Sequence, residues 1–221
     1  MRVAISQPGL FPWPGTFDKL ARVDVWIHLD HVAFQKDGFL HRMRIRGPSD
    51  DVRWLTIPVG HQPSGRPIAE VRLPDGDWRS SVIARFRDSY ADAPSSDLAL
   101  ELLAETVNAD VEHPVELAVS STERIARILH LEAVRFVRSS ELGIRSAKST
   151  LVADLVEAVE GTEYLFGLGR AGSTHYLDRD VLHERGIRTQ AMTYPHRPEP
   201  RLSILDDIAR NHVAAATVAA R

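Results

Sequence analysis

Cysteine is absent from the 221 residues, which excludes disulfides, thiolate metal ligands and a cysteine nucleophile. A dominant charge is missing too: 27 Lys and Arg against 30 Asp and Glu leave a formal net charge of −3. No basic footprint for nucleic acid or an anionic membrane surface emerges from that balance. No apolar run reaches membrane-spanning length, and no basic segment followed by an apolar stretch comes after Met1. Low-complexity tracts and internal repeats are lacking. The expectation is a soluble, cytoplasmic protein with no nucleic-acid or membrane partner, its oligomeric state left open. Its composition, 43% apolar and 26% charged, suffices for a sizeable core.

What is present alternates in character along the chain. Val3-Ala4-Ile5 is a short apolar run cut off by Gln7-Pro8-Gly9, as for a strand entering a loop. Gly15-Thr16 suits the cap of a helix carrying Phe17, Leu20 and Ala21 on one face, and residues 25–29 form a second strand. Strand, helix, strand is the unit of a parallel sheet, whose ligands sit beyond the carboxyl ends of the strands. Asp37-Gly38 then reads as the tight turn of a hairpin within residues 31–45, and strands are expected at 53–59 and 68–73. After Asp77, a plausible N-cap, helices follow to about 91, near 97–107 and over 114–130. The tail reads as strand, capped helix, strand, helix ended by glycine, strand. The fold class expected is α/β: a mainly parallel Rossmann-like sheet of about five strands with helices on both faces. Residues 1–221 form one domain in this reading, with a β-rich insertion at about 31–75 and a helical segment at about 77–131.

Four clusters carry candidate chemistry. In "SQPGLFPWPGTF" the prolines and aromatics either make a stiff packing turn or form the floor of a site. In the second case Gln7 offers an amide that donates and accepts, and Gly15 opens a helix whose amides favour an anion. "IHLDH" places His28 and Asp30 on one side by alternation, a carboxylate that orients an imidazole or raises its basicity for proton abstraction. His28, Asp30, His31 and His41 have no recognised metal-ligand spacing, so no metal is expected. In "KDGFLHRMRI", Arg42 and Arg44 project side by side while His41 faces the other way. The two guanidinium groups match a phosphate or carboxylate, or form a solvated edge, and Lys36 adds charge nearby. "FGLGRAG" sets Gly167, Gly169 and Gly172 in dinucleotide-fingerprint spacing. No acid ends the following strand and Ser173 to Tyr176 open a helix poorly, so neither NAD nor another cofactor is expected. Glycine amides there, with Arg170 and Tyr176, remain candidates for holding a substrate anion, as do Ser139 and Lys148 around "RSSELGIRSAKS". No nucleophile elbow surrounds the serines.

The stretch from "VAISQPGLFPWPGTFDKLARVDVWIHLDH" to "HRMRI", followed in order by "WLTIPV", "RSSEL", "YLFGLGRAG", "YLD" and "LSILD", resembles the WbqC-like family of bacterial proteins over nearly the whole chain. The chain departs from that family's common residues at His31 and His41. The resemblance implies a transferase of polysaccharide or specialised-metabolite biosynthesis that moves an acyl or aminoacyl group onto an amine such as an amino sugar. Combined with the clusters, it yields Asp30, His28 and His41 as candidate proton-transfer residues. Arg42 and Arg44 would then hold a small, phosphate-containing or carrier-bound substrate. Two alternatives stand beside it. One is a non-catalytic binding or scaffold protein for a carrier protein or nucleotide sugar. The other is a nucleotidylyltransferase-like enzyme, since the first loop is placed like that superfamily's phosphate-binding turn. Pro14-Gly15-Thr16-Phe17 stands there in place of its paired histidines.

Overall fold

A computed structural model describes residues 1–63, 65–168, 177–194 and 200–210. In chain order its elements are β1 (Arg2–Ser6), α1 (Pro14–Leu20), β2 (Val25–His28), β3 (Arg42–Arg46) and β4 (Val52–Thr56). Helices α2 (Arg79–Ser89), α3 (Ser96–Val107) and α4 (Pro114–Ile128) follow. The remainder is β5 (Arg135–Arg138), α5 (Lys148–Ala158), β6 (Glu163–Gly167), α6 (Arg179–His183), β7 (Arg188–Met192) and α7 (Ile204–Ala209).

Five of these strands make one parallel sheet in the order β5-β2-β1-β6-β7. The chain starts in the middle, winds outward through β2 and β5, then returns to the other side of β1 with β6 and β7. The carboxyl ends of β1 and β6 therefore flank the point where the winding reverses, the place such sheets keep for ligands. Alternation along β1 explains the two covered faces. Val3 and Ile5 pack with Leu151, Leu155 and Val156 of α5 and Leu182 of α6, while Ala4 packs with Leu20 of α1 and Ala126 of α4. The α/β class with helices on both faces is thus the observed one.

β3 and β4 form a separate antiparallel pair. Met43, Ile45 and Leu55 on its inner face share a core with Phe86 of α2, Leu103 of α3 and Leu205 of α7. Here the chain departs from expectation in two places. Asp37-Gly38 does not join paired strands, because β3 takes its partner from residues 52–56 across the turn at Gly47. Residues 68–73 are no strand: Ile68–Glu70 is one turn of 3-10 helix, preceded by a single bridge between Ala33 and Pro67. That bridge leaves Ile68 buried against Val71, Leu40 and Val115, and apolar burial of this kind is what the sequence pattern reported, without its backbone geometry. Two helix starts also differ. α1 opens on Pro14 with Trp13 before it, so Gly15 lies inside the first turn, and α5 opens after Ala147 with no side-chain cap. Asp77 does act at the start of α2, accepting from the Ser80 amide at 3.3 Å and hydroxyl at 2.9 Å. Among the described residues no helix is long and apolar enough to cross a membrane.

Candidate functional site

The loop leaving β1 is held from three directions. The Phe11 amide donates to Ser121 Oγ on α4 (3.0 Å), and the Phe11 carbonyl accepts from Ser203 Oγ (2.8 Å). The Pro12 carbonyl accepts from the Ile204 amide (3.0 Å), and Leu10 donates to the Phe39 carbonyl (2.9 Å). Phe11 itself is fully buried at φ 40, a left-handed conformation that a phenylalanine keeps only where its surroundings fix it. The first loop is a rigid wall.

Behind that wall lies a cavity of about 190 Å³. Gln7, Trp13, Trp26, His28, Phe39 and Arg44 line it, with Thr122 of α4 and Arg201 beside them. β2 is flanked by strands on both sides, so its last residue, His28, is 1% exposed at the bottom of this space. The imidazole stacks on Phe136 at 5.7 Å, and its Nε2 makes no hydrogen bond. Glu123 Oε1 of α4 stands 3.7 Å from that nitrogen, beyond hydrogen-bond length but close enough to bias the ring electrostatically. The indole Nε1 of Trp26, in the same lining, is likewise buried without a hydrogen-bond partner. Buried polar nitrogens without partners are uncommon, and two of them belong to side chains that line this one cavity.

Arg44 reaches the cavity from β3. Its guanidinium lies 4.9 Å from the Trp54 ring centroid and 6.0 Å from that of Phe39, and no acid pairs with it among the described residues. Arg42 differs. Its Nε donates to the Gly38 carbonyl at 3.0 Å, its Nη2 donates to the Asp37 carbonyl, and Asp37 Oδ1 stands at 3.3 Å. The expected pair of free guanidinium groups is therefore one: Arg42 fastens its own turn.

Asp30 is apart from this cavity. Fully buried beyond the end of β2, its Oδ1 accepts from the Ser140 amide (2.8 Å) and Ser139 Oγ (3.1 Å). Its Oδ2 accepts from Arg138 Nε (2.7 Å) and Ser140 Oγ (2.8 Å). Burial pushes this carboxyl up, yet the hydrogen bonds from Arg138 and Ser140 and the Arg138 charge outweigh it and hold it below the ordinary aspartate value. A carboxylate with four donors on it is an anchor between β2 and β5, and it does not meet His28 as alternation suggested. Ser139 is spent in the same knot. Its proton goes to Asp30, so the 2.7 Å contact with His31 Nδ1 requires the proton on that nitrogen.

The other expected residues scatter. His41 and Lys36 line a second cavity. Lys148 is exposed at the start of α5 with φ 55, and the Gly167 backbone packs beneath the Tyr194 ring, which itself meets Trp13 at 4.8 Å. Gly169, Arg170 and Tyr176 lie outside the described residues. Gly15 contacts no open space. A Cβ there would fall inside the Trp13 indole, so the glycine lets that ring lie over the helix start and wall the cavity. Gly15→Ala is expected to cost about 1–3 kcal/mol in urea unfolding. An unchanged midpoint would show the indole has another place to go. Among the described residues no three His, Asp or Glu side chains cluster to hold a metal.

Sequence reasoning missed Glu123, Thr122, Trp26 and Phe39. A signal for Thr122 existed. α4 buries Leu117, Ala118, Ser121, Thr122 and Ile125, and polar residues within an apolar stripe mark contacts that packing alone does not require. No comparable mark distinguishes Trp26 from a core residue.

The family model described as the WbqC-like protein family matches residues 7–218. A protein of Mycobacterium tuberculosis (strain ATCC 25618 / H37Rv), named "Uncharacterized protein Rv1507c", is 28% identical over 219 residues, covering 93% of this chain and 91% of its own. No solved structure matches the chain.

Proposed function

The chain belongs to the WbqC-like protein family, and on that premise we propose that the His28 cavity is the active site of a transferase. The substrates proposed are an activated acyl or aminoacyl donor and an amine such as an amino sugar, in bacterial polysaccharide or specialised-metabolite biosynthesis. The reading rests on one observation: a buried imidazole, unpartnered at Nε2 and 3.7 Å from a carboxylate, opens on a cavity that also receives an arginine without an acidic partner among the described residues.

The chemistry follows from those groups. Glu123 favours the tautomer with the His28 proton on Nε2, which leaves Nδ1 as the basic nitrogen. The amine nitrogen attacks the donor carbonyl, and its proton passes to His28. The new C–N bond forms as the bond from the carbonyl carbon to the leaving group breaks, and the imidazolium returns the proton to the leaving atom. For an acyl thioester that atom is sulfur. The Gln7 amide is a donor for the oxygen that gains charge in this step. Arg44 takes an anionic group of the donor. Trp13, Trp26 and Phe39 exclude water from the reacting end.

Thermal stabilisation by acyl thioesters, nucleotide sugars and amino sugars finds the ligand class, since whatever binds the native state raises its midpoint. An acyl thioester with an anionic carrier portion is expected to stabilise the protein. Arg44→Ala is expected to weaken that ligand at least about tenfold, the value of one charge-assisted contact. Equal affinity in the variant removes Arg44 from the site. Stabilisation by nucleotide sugars alone, with no thioester effect, overturns the acyl-transfer reading.

A further inference from the structure

The second cavity, about 530 Å³, lies within the size range of small-molecule sites. Phe34, Pro58 and Val59 supply apolar wall, Lys36 and His61 are exposed members of the lining, and Gln62 and Thr56 add polar groups. Among the described residues no carboxylate lines it. His41 belongs to the same lining and is only 5% exposed, its ring tilted against Phe34 at 5.5 Å, with Nδ1 buried and without a hydrogen-bond partner. A buried nitrogen without a partner beside a roomy hollow calls for a hydrogen-bond partner from outside the chain.

We propose that this cavity is a second ligand site, separate from the His28 cavity, for a small molecule carrying a phosphomonoester. The phosphate oxygens accept from His41 Nδ1 and Lys36, with His61 beside them, and a flat or apolar remainder rests on Phe34 and Val59. A dianion suits this lining better than a single carboxylate because three separate nitrogen groups border it, while Asp37, the nearby acid that acts on His41, is paired with Arg42. The His41 imidazole enters as a neutral donor. Burial first, then the Arg42 charge, push it down to about 4, against a smaller upward pull from Asp37. The proposal does not depend on acyl transfer, so the two are tested apart.

Inorganic phosphate and phenyl phosphate are titrated at pH 7 in a phosphate-free buffer into the full chain, labelled with 15N at histidine, while the imidazole nitrogens are followed by NMR. Saturable shifts at His41 with none at His28 are expected, with phenyl phosphate at least tenfold tighter than inorganic phosphate. Lys36→Ala, an exposed position whose replacement leaves the fold intact, is expected to weaken phenyl phosphate at least tenfold. No saturable change at His41, or equal affinity in Lys36→Ala, overturns the site. Benzoate binding as tightly as phenyl phosphate overturns the phosphate assignment.

Discussion

Asparagine at position 30 is expected to lower the free energy of unfolding at pH 7 by about 2–4 kcal/mol, the cost of removing one member of a largely buried ion pair. The amide keeps the shape of the side chain and one acceptor. Its nitrogen, however, must face donors on either side: the Ser140 amide and Ser139 hydroxyl on one, Arg138 Nε and the Ser140 hydroxyl on the other. The hydroxyls can rotate, whereas the guanidinium cannot become an acceptor. Arg138 is 29% exposed, so water recovers part of the loss and the figure stays below that of a sealed pair.

The pH dependence has a definite sign. A carboxyl depressed in the folded state contributes stability that is fully present above its unfolded value, about 4, and fades as pH falls through the lower native value. The gap between Asp30→Asn and the unaltered protein is therefore widest at neutral pH and narrows below pH 4. Urea unfolding at pH 7 and pH 3 checks both. A gap under about 1 kcal/mol, or one that is equal at the two pH values, removes the anchor from Asp30.

His28→Gln is expected to reduce turnover about 10²–10⁴-fold with little change in donor affinity, the scale of losing a positioned proton acceptor. The ring lies at the bottom of its cavity, 5.7 Å from Phe136 and 6.5 Å from Trp26, so glutamine keeps polarity and much of the volume but has no basic nitrogen. Glu123→Gln should cost less, about tenfold, because it alters only the bias on the ring. The rate of amide formation from the stabilising thioester and its amine is the measurement, with donor affinity measured alongside. Full turnover in His28→Gln ends the proton-transfer role. A parallel loss of affinity and rate makes the residue a binding group instead.

The parallel sheet was legible because its strands announce themselves. "VAI", "VWI" and "YLF" are apolar runs bounded by breakers, and the helices between them carry a 3.6-residue stripe. Order within the chain then nearly determines order in space, since crossovers are right-handed and short. The candidate site was less readable. Gln7, His28 and Arg44 do meet around one cavity: the ends of β1 and β2, which sequence order encodes, place the first two, while Arg44 comes from the middle of β3. Asp30 was misread because alternation holds only within a strand. β2 ends at His28, and two residues on, the backbone turns the carboxylate toward Arg138. Arg42 was misread because its consumption by Asp37 and Gly38 depends on where the turn falls. His41 and Lys36 were assigned to a shared site although the alternation that set His41 opposite the arginines already hinted at a different hollow.

The two-sided hold of Ser203 on the chain's opening has a temporal consequence. Its hydroxyl and amide clasp Phe11 and Arg44 at once, at 2.8 Å each, the first of them across 192 residues. During synthesis the sheet nucleus of β1 and β2 can assemble early, yet its binding wall lacks this clasp until the ribosome has released the segment around Ser203. Nascent chains stalled before that point would carry the scaffold without a finished mouth, so competence is conferred late, by a later-made segment on an earlier-made one.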